Sequence, residues 1–146
     1  MADTASTTFP KSQPIPERST RLYSATLRDP TGTALEPAQV TSIRFSLRDD
    51  RSDEVINARN RVEVLNQNGG AMGTGGAFTM TFDTLDTVAI GTTKLQKRRA
   101  LFEVTYLTGI ENHEVFFLVE QLEDVPYFIA MRVGALLIER QQLLVA

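Results

Sequence analysis

The chain has 146 residues, 42% of them hydrophobic, and a formal net charge of −3 at neutral pH. That length and apolar content suit one domain with extensions, and so small a charge disfavours nucleic-acid binding, which needs a basic patch to neutralise phosphates. Cysteine and tryptophan are both absent, which excludes disulfides, thiolate metal sites, cysteine nucleophiles and an antibody-type Cys–Trp–Cys core.

Residues 1–20 are rich in Thr, Ser and Pro, with prolines at Pro10, Pro14 and Pro16. Proline fixes φ and removes a donor, so this stretch favours extended conformations. It contains no apolar run of the kind a secretory signal needs. Two expectations fit it: a disordered tail, or an arm that orders on a neighbouring subunit with Phe9 and Ile15 as anchors.

Residues 21–27 are the first candidate strand, with Leu22, Ala25 and Leu27 as its apolar positions. Asp29-Pro30-Thr31-Gly32 is a turn signal. Residues 34–38, which include Pro37, read as a connection. Residues 41–48 alternate cleanly, Ile43, Phe45 and Leu47 against Ser42, Arg44, Ser46 and Arg48, and predict a core strand. Asp49, Asp50 and Asp53 invite a calcium reading, but the spacing of a calcium loop is missing and Arg51 interrupts the cluster. A solvated turn is expected there. Residues 54–65 predict a short strand, a polar bend at residues 57–60, and then a strand or a turn of helix.

Residues 67–76 hold five of the nine glycines. No lysine follows in phosphate-loop spacing and a strand follows directly, so a hairpin connection nucleated at Asn68-Gly69 is predicted. Phe78, Met80 and Phe82 mark the next core strand. Residues 83–93 predict a crossing to a second sheet, with Asp83 or Thr84 capping one helical turn and Leu85, Val88 and Ile90 plugging the core. Lys94, Lys97, Arg98 and Arg99 form the most basic spot, read as a solvated turn ahead of a strand. Residues 99–107 and 114–122 are the two strongest strands, carrying Phe102-Val104-Tyr106 and Val115-Phe117-Val119, with a hairpin loop predicted at residues 108–112. His113 is the single histidine. One His without Cys argues against a triad or a zinc centre and reads as a half-exposed residue at a strand edge.

Residues 127–146 are strongly apolar. Leaving several Leu and Ile side chains in water forgoes some kcal/mol at roughly 25 cal/mol per Å2. The stretch, strand or helix, therefore packs on its own domain or on another chain. A membrane span is not expected, because no run of about eighteen apolar residues occurs; the nearest approach, residues 125–138, contains Pro126 and Arg132.

Five segments carry a resemblance: Ser42-Ile43-Arg44-Phe45-Ser46-Leu47-Arg48-Asp49; Val55-Ile56-Asn57-Ala58-Arg59-Asn60-Arg61-Val62-Glu63-Val64-Leu65-Asn66-Gln67-Asn68-Gly69; Gly76-Ala77-Phe78-Thr79-Met80-Thr81-Phe82; Arg99-Ala100-Leu101-Phe102-Glu103-Val104-Thr105-Tyr106; and His113-Glu114-Val115. Over residues 21–125 the chain resembles a family of small immunoglobulin-like virion proteins of tailed bacteriophages. Its most specific part is the stretch from Ile56 to Gly69, in which Ala58 stands where Gly is expected.

The resemblance implies an all-β, immunoglobulin-like β-sandwich over residues 21–125; residues 1–20, read as an extended arm, and residues 126–146, read as an apolar extension, lie outside the resemblance. It implies a structural role without catalysis, metal or cofactor, in a virion assembled in the host cytoplasm. The expected partners are portal or connector, capsid or tail subunits and further copies of the chain in a ring, without a membrane or specific nucleic acid. The expected contacts are Phe9, Ile15, Tyr127, Phe128, Leu136 and Leu137. A capsid decoration protein is the nearest alternative. A glycan-binding module ranks lower, since tyrosines 23, 106 and 127 are its only candidate platforms apart from phenylalanine. An enzyme ranks last, for want of a nucleophile motif or a His-based site.

Overall fold

A computed structural model describes residues 13–122. Over these residues the chain is all-β, with eight strands: β1 (Ile15–Pro16), β2 (Arg21–Thr26), β3 (Val40–Asp49), β4 (Val62–Glu63), β5 (Gly70–Met72), β6 (Ala77–Phe82), β7 (Leu95–Tyr106) and β8 (Gly109–Glu120). They form a five-stranded sheet in the order β1-β8-β7-β3-β4 and a three-stranded sheet in the order β2-β6-β5. All pairings are antiparallel except β1 with β8, where Ile15 and Pro16 run parallel to Val119 and Glu120.

The four alternating runs supply the core. Ile43, Phe45 and Leu47, Phe78, Met80 and Phe82, Phe102, Val104 and Tyr106, and Val115, Phe117 and Val119 are all buried. Period-two alternation puts each set on one face of its strand, and the two sheets bury those faces against each other. Phe102, in the middle of the larger sheet, is the centre. It stacks on Phe45 at 4.9 Å and on Tyr23 at 5.5 Å, and meets Phe78 edge-on at 5.4 Å. Phe82 joins Phe45 and Phe117 at 5.7 and 5.3 Å. Such pairs add about 0.5–1.5 kcal/mol each beyond the area they bury.

Several local expectations shift. In β2 the inward set is Tyr23 and Ala25, continued by Leu27, while Leu22 is exposed. The β7–β8 loop is only Leu107-Thr108, so residues 109–113 belong to β8. Glu111, Asn112 and His113 are polar on both faces, which hides that part of the strand from an alternation test. Asn68-Gly69 takes positive φ at both residues (51° and 100°), but it carries the chain from one sheet to the other. The hairpin is β5–β6, closed by residues 73–76. Gly70 is required where the chain changes sheets, since a Cβ there would sit 2.0 Å from the Val64 carbonyl oxygen.

Residues 83–94 do cross between the sheets. Asp83 Oδ1 accepts from the amides of Leu85 and Asp86, closing a turn at residues 84–87 that is not the helical turn expected there. Val88 and Ile90 pack against the core, but Leu85 points to solvent, and Asp86 and Thr87 are buried in its place. The boundary at residue 20 also moves. Ile15 lies in the core, Glu17 N–H donates to the Glu120 carbonyl, and Ser19 N–H donates to the Thr87 hydroxyl. The folded body therefore already includes residues 15–20.

Candidate functional site

The residues with the most chemistry are used up in ion pairs inside the fold. Asp49 is buried and faces Arg98, whose side chain is fully buried; Arg98 Nη1 donates to Asp49 Oδ1 at 3.0 Å. Strand pairing explains the meeting, because Asp49 and Arg98 are cross-strand partners on β3 and β7. Arg98 Nη2 also donates to the Val88 carbonyl and to Gln96 Oε1, at 2.6 and 3.0 Å. Burial pushes the Arg98 guanidinium below its ordinary pKa, against the pull of Asp49 and Glu54. Arg99 bridges the loop's other two carboxylates, Asp50 at 3.0 Å and Asp53 at 2.5 Å, and the Asp53 hydrogen bond leads in raising its pKa. Lys97 reaches Asp50 at 4.0 Å and Lys94 reaches Glu120 at 3.7 Å. The acidic loop and the basic run neutralise each other. Arg98 and Asp49 are neither solvated nor open to a ligand, which corrects the solvated-turn expectation for both.

A second pair lies at the resemblance-bearing segment. Arg59 is bidentate on Asp86, Nε to Oδ1 and Nη2 to Oδ2, both at 2.9 Å. Its Nη1 donates to the Asn68 carbonyl, and its guanidinium lies 5.5 Å from the Phe45 ring centroid. Asp86 also accepts from Asn57 Nδ2 and from the Asp83 amide. The Asp86 hydrogen bond, opposed by desolvation, holds Arg59 above its ordinary pKa. A cleft of about 410 Å3 opens beside this clamp, lined by Asn57, Val62, Thr81 and Asp83 among others. Every guanidinium nitrogen of Arg59 is already donating within the chain, so the cleft presents no unused cation.

Glu63 does similar work at β4. Desolvation pushes its carboxyl up, but the Ser42 hydroxyl and the amides of Ile43 and Leu65 outweigh that and hold it below its usual value. His113 is half-buried, with Nε2 3.0 Å from the Tyr23 hydroxyl. Among the described residues no group of three or more His, Asp or Glu side chains could hold a metal ion, and no helix is long and apolar enough to cross a membrane.

What the described surface does offer is an edge. β8 pairs with β7 along its whole length in one unbroken register. On its other side β1 meets only Val119 and Glu120. Two bonds fix the orientation. Glu17 N–H donates to the Glu120 carbonyl on the outer side, and Gln121 N–H donates to the Lys94 carbonyl on the β7 side. Backbone groups alternate sides along a strand, so Ile110, Asn112, Glu114 and Phe116 aim their N–H and C=O groups outward. Ile110 and Phe116 are also among the exposed large hydrophobics, at 64% and 36%.

Of the six expected contact residues, Phe9, Tyr127, Phe128, Leu136 and Leu137 lie outside the described residues. Ile15 is 6% exposed and packs in its own core beside Val119. It anchors the chain to itself, a correction to its expected place on a neighbour; the alternating inward face of β8 gives it a slot within its own fold. The open edge was missed from the sequence because a two-residue β1 leaves no periodic signal. No family model, no curated protein and no solved structure matches this chain.

Proposed function

We propose that the chain is a non-enzymatic structural module of a tailed-phage virion, an immunoglobulin-like β-sandwich mounted at the head-to-tail connector and repeated around a ring. The observation that carries the fold half of this reading is strand order. The sheet order β2-β6-β5 corresponds to the B-E-D order of an immunoglobulin domain, and β8-β7-β3 to its G-F-C order, with β4 as an added strand beside C. The virion half rests on the resemblance around Ile56 to Gly69. The internal neutralisation of the Asp49–Asp53 loop, the Lys94–Arg99 run and Arg59 supports a role without catalysis, because the groups that could do chemistry already hold the fold together.

The test is stoichiometry in purified virions, by quantitative mass spectrometry. About a dozen copies or fewer per particle fits a ring at a unique vertex. Hundreds of copies would move the chain to the capsid surface as a decoration protein. Its absence from virions would sink the reading.

A further inference from the structure

The open run of β8, Ile110 to Phe116, has the properties of a strand acceptor. It offers four outward N–H and four outward C=O groups at a sheet edge, a template for adding an extended segment. Proline, lysine and bulges usually blunt such edges. Residues 109–120 contain no proline and no lysine, and their pairing with β7 has no register shift. Among the described residues β1 does not extend over this run: its pairing starts at Val119, and the chain bends at Gln13.

We propose that this edge receives residues 123–146 of a second copy of the chain, added as a strand. The proposal deepens the ring reading above and rests on it. Where the described residues end argues for a neighbour's segment. Leu122 leaves β8 at the end that β1 already occupies. The chain's own continuation would have to pass around β1 and return before meeting the open positions, whereas a neighbour's meets no such obstacle. Length is sufficient: the open run spans about 23 Å at roughly 3.3 Å per residue, and residues 123–146 supply 24 residues to bridge and pair. Passing one subunit's end to the next subunit's edge is a head-to-tail contact, which closes into a ring or runs on as a filament.

The experiment uses full-length chains in sedimentation velocity over a concentration series. Glu114→Pro removes an outward N–H and no β7 ladder bond; Phe116→Lys charges the same edge and guards against misfolding of the proline variant. Phe128→Asp with Leu137→Asp spoils the incoming segment. Circular dichroism checks that each variant keeps its strands. We expect the wild type to self-associate, each variant to weaken association by about tenfold or more, and an equimolar mixture of Glu114→Pro with the double Asp variant to regain a 1:1 pair, since each supplies what the other lacks. Oligomers that persist in all variants would overturn the edge pairing and leave the ring reading standing. Loss with the edge variants but not with the double Asp variant would overturn residues 123–146 as the occupant. A wild type that stays monomeric throughout would overturn the ring reading and this proposal with it.

Discussion

The five-stranded sheet has two flanks, and the chain treats them in opposite ways. Beyond β3, residues 54–65 seal the flank. Asp49 N–H donates to Glu54, Leu47 N–H to Arg59, and Val64 N–H to Ile43, while β4 pairs with Arg44 and Phe45. Folding this short segment against the strand forces Asn57, Ala58 and Arg61 into positive φ, and it needs the Arg59–Asp86 clamp and Glu63 to hold it there. Beyond β8, among the described residues, the flank is paired only by the two residues of β1. Strain and buried charge are concentrated where an edge is closed, so the sealed flank should fail on single substitutions and the open one should tolerate them.

The largest effect is expected at Asp86. Asp86→Ala removes the bidentate partner of the Arg59 guanidinium, leaves the Asp83 N–H without its acceptor, and leaves Asn57 Nδ2 only a 3.5 Å contact to Asp83 Oδ1. Breaking a buried pair from one side costs about 3–5 kcal/mol, read as a lower urea midpoint at unchanged slope. Asn112→Ala, exposed on the open edge, should stay within about 0.5 kcal/mol of wild type. Equal losses at the two positions would erase the contrast.

Asp49→Ala should come next, at about 3 kcal/mol, because Arg98 is left buried without its carboxylate. Here a double substitution sharpens the point. Asp49→Ala with Arg98→Met removes both charges and should recover much of that loss, since apolar replacements of a buried pair are often close to neutral. A double variant no more stable than Asp49→Ala would mean that the bonds from Arg98 to Val88 and Gln96 matter more than the pair.

The core strands were legible because apolar alternation is a local signal, and Ile43, Phe78, Phe102 and Val115 all sit in runs of it. The charged nodes were not. Asp49 and Arg98 are 49 residues apart, and Arg59 and Asp86 are 27 apart; only strand pairing and the sheet crossing bring them together. Read singly, Asp49, Arg98 and Arg59 look like parts of a solvated turn, a basic run and a polar bend, and nothing local singles out Asp86. Ile15 looked like an anchor for a neighbour because nothing local marks a two-residue parallel strand, and Leu22 and Leu85 looked inward because hydrophobicity alone does not give the phase of a short segment.

Glu63 offers a graded version of the comparison. Its folded carboxyl lies below its usual value, so the charged form is the stabilising one. That contribution is complete above the unfolded pKa and disappears as pH falls through the carboxylate range toward the folded value. Glu63→Gln should therefore cost about 1.5–2 kcal/mol at neutral pH, from losing charge-assisted bonds to two amides and a hydroxyl. The gap to wild type should narrow on acidification, in urea titrations repeated from neutral pH downward. A gap that does not change with pH would show that shape rather than charge holds β4 in place.

The smallest expected effect on the sealed flank reverses the sign. Ala58 has φ +54°, in the left-handed region where a Cβ crowds the following carbonyl and glycine does not. The sealed flank therefore carries strain that the sequence could shed. Ala58→Gly relieves it in the folded state but adds freedom to the unfolded chain, which offsets part of the gain. The balance should leave the variant about 0.5–1 kcal/mol more stable, a rise of a few degrees in melting temperature by calorimetry. Asn57, at the same φ, serves as the control. Asparagine tolerates this conformation better than other non-glycine residues, and its amide is tied to Asp86, so Asn57→Gly should destabilise where Ala58→Gly stabilises. If both substitutions shifted stability in the same direction, backbone strain would not be what distinguishes these two neighbours, and the sealed flank would owe its conformation to side-chain bonds alone.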